Sequence, residues 1–91
     1  MIITLDEAKN YLRVDSADDD KLIDSILAAA QKLCMDILRT DEQSVLAAEP
    51  NAKVAILYAT AYLYEHREEA DHKALTLSLR ALLSGSRKEA F

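Results

Sequence analysis

The residues able to carry chemistry are few, and their spacing serves it poorly. His66 and His72 stand six apart, whereas two metal ligands on one helix face need a spacing of three or four. Glu65 or Glu69 adds a carboxylate nearby, but the stretch reads as a solvated polar bend. Asp18, Asp19 and Asp20 are consecutive and lack the alternation, central Gly and twelfth-position Glu of a Ca²⁺ loop. They suit the first turn of a helix, where carboxylates meet the positive end of the dipole. The only cysteine, Cys34, falls within an apolar stripe, which is the setting of a structural thiol and not of a nucleophile. One glycine in the chain excludes both a phosphate-cradling loop and a glycine-dependent nucleophile elbow. Tyr58, Tyr62 and Tyr64 could stack on bases, but no basic residues interleave with them. No convergent acid, base and nucleophile set emerges, so the expectation is a protein that is not an enzyme and uses no metal or cofactor.

Whatever these residues do, helices must position them. In 91 residues there are one Gly, one Pro and 51% hydrophobic residues, which argues against a turn-rich β protein and for long helices around one small core. The expected class is all-α, a bundle of about four helices with a long central third helix. Residues 1–91 form one domain, with 84–91 as a C-terminal tail. Thr4-Leu5-Asp6-Glu7 is a capping box that opens a first helix ending near Arg13, with Leu5, Ala8 and Leu12 on one face. The second helix carries Leu22, Ile23, Ile26, Leu27, Ala30, Leu33, Cys34, Ile37 and Leu38 as a wide apolar stripe. Asp24, Gln31 and Asp36 lie opposite, and so do Ala28 and Met35, a hint of a second contact surface. Thr40-Asp41-Glu42-Gln43 repeats the capping-box pattern ahead of Val45-Leu46-Ala47, which fits either a helical turn or a loop.

A third helix begins at Pro50 and runs to about Arg67, with apolar residues almost all the way round. Either it is the centre of the bundle or one of its faces meets another subunit. A last helix carries Leu75, Leu79, Leu82 and Leu83, with Leu77 off the stripe and Gly85 placed to stop it. Residues 1–49 hold 5 basic and 11 acidic side chains, and residues 50–91 hold 6 and 5. That balance disfavours binding to nucleic acid through phosphate contacts. No apolar run spans a membrane, and the N-terminus has no signal-peptide pattern.

Two blocks of the chain resemble a known family. Ile3-Thr4-Leu5-Asp6-Glu7-Ala8-Lys9-Asn10-Tyr11-Leu12-Arg13-Val14-Asp15, an acidic cluster, and Leu22 to Ala30 resemble the opening of the small head–tail connector proteins of tailed phages, also described as head-completion or DNA-packaging proteins. Val54 to Glu68 is similar to that family's long helix, which closes on a Tyr-x-x-Arg-Glu signature, and Leu79-Arg80-Ala81-Leu82-Leu83 to its Leu-rich end. Where the family usually has a Thr-Gly-Arg-like turn, this chain has Leu38-Arg39-Thr40-Asp41.

The resemblance implies a structural subunit that assembles in a ring, commonly of twelve copies, beneath the portal protein. The ring extends the DNA channel and docks the next head-completion or tail protein in the virion neck, after synthesis in the host bacterial cytoplasm. DNA passes through without sequence-specific binding, and an acidic wall that repels phosphates suits that passage. Candidate interface residues are Met35, Ile56, Leu63, Tyr64, Arg80, Leu82, Leu83 and Phe91. The alternatives are a small helical DNA-binding regulator and a dimeric adaptor.

Overall fold

The computed structural model describes residues 2–66 and 71–84. Five helices follow one another: α1 (Leu5–Leu12), α2 (Asp20–Ile37), α3 (Gln43–Ala47), α4 (Ala52–Glu65) and α5 (His72–Ser84), with no strand among the described residues. The expected helical class holds. The segment from Thr40 to Ala47 contributes a fifth, short helix, and α2 is longer than the central α4. The Gly85 helix stop and the tail to Phe91 lie outside the described residues.

The capping box forms as expected. The Glu7 N–H donates to Thr4 Oγ1 at 3.1 Å, and the Thr4 N–H donates to Glu7 Oε1 at 2.9 Å. Ile3, just before the cap, is buried along with Ala8 one turn into the helix, the arrangement that fixes a helix entry angle. The second capping box does not form. Thr40 Oγ1 instead accepts from the Glu42 N–H at 3.0 Å in a local turn, and α3 starts at Gln43 without a side-chain cap. Pro50 lies in the turn before α4 instead of opening the helix.

The architecture is built on the α2–α4 pair, the most extensive helix pairing in the chain. Their buried faces carry Ile23, Leu27, Ala30 and Cys34 on α2, and Ala52, Ala55, Ile56 and Ala59 on α4. Small residues dominate the α4 face, which lets the two helices approach closely. Thr60 is also buried, and its hydroxyl donates back to the Ile56 carbonyl at 2.8 Å, so it adds no unpaired polar group. Leu46 of α3 and Leu75, Leu79 and Leu83 of α5 complete the core.

α1 and α5 each pack against both α2 and α4 and make no contact with each other. They therefore occupy opposite flanks of the central pair. Lys9 of α1 meets Asp20 of α2 at 2.6 Å, and Lys53 of α4 meets Glu7 at 3.4 Å. On the other flank, Asn51 Nδ2 donates to the Leu82 carbonyl at 2.9 Å, holding the end of α5 beside the start of α4.

Gln31, expected on the polar side of α2, is buried at 8% exposure. Its amide oxygen accepts from the Ile2 N–H at 3.0 Å, and its amide nitrogen donates to Gln43 Oε1 at 2.8 Å. One side chain thus joins the N-terminal strap, α2 and α3.

Two helices stop without glycine. Arg13 and Arg39 both adopt the left-handed conformation, with φ of 62° and 58°. After α2, the Arg39 N–H donates to the Asp36 carbonyl and the Thr40 N–H to the Met35 carbonyl. A β-carbon in this conformation costs roughly 1–2 kcal/mol, part of which a glycine gives back as unfolded-state freedom. Arg39→Gly is expected to raise unfolding stability by about 0.5–1 kcal/mol in urea denaturation. A loss of stability would show that the Arg39 side chain contributes more than its backbone strain costs.

Candidate functional site

The residues singled out for chemistry do not converge. Cys34 is fully buried, and burial pushes its thiol from 9.0 up to about 12. His66 and His72 are exposed at the end of α4 and the start of α5. With Leu22, Ser25, Ile26, Ala29 and Leu63 they line an open groove of about 380 Å³ along α2. The His66 ring packs on Tyr62, with centroids 4.4 Å apart. Asp18 and Asp19 precede α2 and Asp20 opens it. Asp20 is committed to Lys9, and Asp19 Oδ2 accepts from the Tyr64 hydroxyl at 2.7 Å. Among the described residues no group of three or more potential metal ligands comes together, and no helix is long and apolar enough to cross a membrane.

Glu7 illustrates how the polar residues are used. The Thr4 N–H holds its carboxyl below the usual carboxylate range; desolvation opposes this, and Lys53 adds to the lowering. Lys32 is held above the usual lysine range by its hydrogen bond to Asp36. These partnerships cap helices and dress surfaces.

What the structure leaves over is apolar surface. Val54 is 55% exposed and Tyr58 38%, on the side of α4 opposite its buried residues, with Leu57 and Ala61 half-buried beside them. Tyr11 of α1 and Leu77 of α5 are 51% and 56% exposed. Both lie on the two flanking helices. Single exposed apolar residues are ordinary, but here, with Val45 of α3, they fall on four of the five helices of a small chain.

Against this surface the expected interface residues divide. Ile56 and Leu83 are buried at 0% and 1% exposure, so they are corrected to monomer core and have no surface to offer a partner. The all-round apolar pattern of α4 could not show which side its neighbours cover, and α2 covers the Ile56 side. Leu83 falls on the buried stripe with Leu75 and Leu79. Met35, Leu63, Tyr64 and Leu82 are half-buried and pack against the core. Tyr64 also anchors the start of α2 through Asp19. Arg80 is exposed, and Phe91 lies outside the described residues. Val54, Tyr58, Tyr11 and Leu77 were absent from the expected set. Their signal was available for Leu77, which lies off the Leu stripe, and for Tyr11, which stands beside the apolar face of the first helix.

The described residues form only helices, enclose a structural thiol and leave several apolar side chains exposed. Residues 2–86 match the model of the phage gp6-like head-tail connector proteins, and the chain belongs to that family. Its role is therefore structural, as a connector between phage head and tail. No curated protein and no solved structure matches the chain significantly.

Two measurements check this division. Because the thiol is raised from 9.0 to about 12, the neutral buried form contributes its full stability below pH 9 and loses it progressively between pH 9 and pH 12. Thiol reagents at pH 8 are expected to label Cys34 only after denaturant is added, and Cys34→Ala to flatten the alkaline decline in stability. Rapid labelling of the native chain would place the thiol at the surface. Separately, Val54→Gln and Leu77→Gln are expected to change urea stability by no more than about 0.5 kcal/mol, whereas Ile56→Ala costs about 2–5 kcal/mol. A large loss for Val54→Gln would mean that this side of α4 is covered within the monomer.

Proposed function

We propose that this chain is a subunit of a closed ring beneath the phage portal, lengthening the DNA channel and offering a docking face for the next neck or tail protein in the virion. The carrying observation is the family membership across residues 2–86. The exposed apolar residues on α1, α4 and α5 support it, because a ring subunit keeps surface that only its neighbours cover. The chain's balance of 11 basic against 16 acidic residues suits a wall along which DNA slides without being held. Among the described residues, α5 exposes only Lys73, Arg80 and His72 as basic groups, too few for a recognition helix in a major groove.

Incubating the purified chain with portal rings of the same phage is expected to add a closed collar to one portal face, visible by negative-stain electron microscopy. A portal that stays bare overturns the ring reading. Fluorescence anisotropy with duplex DNA is expected to show weak binding at physiological salt. Tight, steeply salt-dependent binding overturns the sliding-wall part.

A further inference from the structure

A ring needs two different surfaces on each subunit, one to give and one to receive. The opposite flanks of the α2–α4 pair differ in charge. On the α1 flank, Asp6, Asp15 and Asp18 are exposed, as is Asp24, one turn along α2 from the Asp20 that meets Lys9. Arg13 and Lys21 are the exposed basic residues in the same stretch, leaving it net acidic. Tyr11, on the last turn of α1 ahead of Asp15 and Asp18 in the chain, is 51% exposed.

The α5 flank is the reverse. No residue of α5 is acidic. His72, Lys73, Thr76, Leu77 and Arg80 border a shallow depression of about 400 Å³, and Lys73 and Arg80 form no ion pair among the described residues. Lys73, Leu77 and Arg80 recur at steps of four and three, so they share one face with the 56%-exposed Leu77 between two cations. Lys73 also occupies the first turn, where positive charge opposes the helix dipole. The helix begins there with the help of Asp71, whose Oδ1 accepts from the Ala74 N–H at 3.0 Å. Lys73 and Arg80 are thus without an ion pair among the described residues, which suits carboxylates supplied from outside.

We propose that neighbouring copies join through these unlike flanks. The Lys73–Leu77–Arg80 face of one subunit seats on the Tyr11–Asp15–Asp18 flank of the next, with Leu77 against Tyr11 and the cations facing the carboxylates. This rests on the ring reading and specifies which surfaces close it. Because the flanks lie on opposite sides of the central pair, each subunit can give one and receive the other at once.

The test uses the full chain and two charge-reversed variants, K73E/R80E and D15K/D18K, all at exposed positions. Sedimentation velocity over a concentration series and collar formation on the portal are the readouts. Circular dichroism first establishes that both variants keep the wild-type helix content and melting point. Each variant alone is expected to self-associate at least about tenfold more weakly than the wild type and to leave the portal bare. Mixed one to one, they are expected to regain wild-type association, because each reversed flank finds its reversed partner. Variants that assemble like the wild type, or a mixture that stays dissociated, overturn the flank pairing while leaving the ring reading intact. A wild-type chain that neither associates in solution nor collars the portal removes both.

Discussion

Close approach of α2 and α4 is the constraint on which the remaining structure depends. Ala30 and Cys34 on one helix, and Ala52, Ala55 and Ala59 on the other, keep the facing surfaces low, with Ile23, Leu27 and Ile56 filling between. Interiors pack at crystal-like density, so a seam of this kind fixes the spacing of its helices as firmly as larger residues do in a wider bundle. It also limits the core. Alanine buries little apolar area, so α1, α3 and α5 must each add residues to close it: Ala8, then Leu46, then Leu75, Leu79 and Leu83.

Polar contacts orient the flanking helices that apolar burial holds in place. Lys9–Asp20 and Lys53–Glu7 place α1 across the pair, and Asn51 places α5. The Lys9 side chain is only 16% exposed and that of Asp20 35%, so this pair is partly withdrawn from water, and removing one member leaves a partly buried charge behind. Lys53–Glu7 is more open and correspondingly weaker. The flanks are thus set by directional contacts on one inner side. Their outer sides remain free to differ in charge, which gives the molecule two distinct edges and not a uniform surface.

Much of this was legible in the residues. The Thr4–Glu7 box, the α2 stripe and the Leu75–Leu79–Leu83 series are local patterns, and local patterns survive into the fold. The family resemblance rested on order and spacing over most of the chain, and the match across residues 2–86 agrees with it. Other features escaped. Gln31 is polar by type and buried by partnership, because Ile2 and Gln43 supply what its amide requires. The second Thr–Gln pattern failed because Thr40 found a nearer donor in Glu42. The exposed side of α4 could not be chosen, since a helix apolar on every face gives periodicity no contrast to work with. Leu38-Arg39-Thr40 has no glycine, yet Arg39 takes up the positive φ that glycine most readily supplies.

The tyrosines have an optical consequence. The chain has four and no tryptophan, so they account for its intrinsic fluorescence. Two of them close the far end of the bundle: Tyr64 donates to Asp19 ahead of α2, and the Tyr62 hydroxyl accepts from the Asp71 N–H ahead of α5 at 3.0 Å. The other two, Tyr11 and Tyr58, face outward. A single emission band therefore combines two populations. A soluble quencher such as iodide would reach the outward pair first, and Tyr→Phe replacements within each pair would separate the signal of the clasped junction from that of the open face.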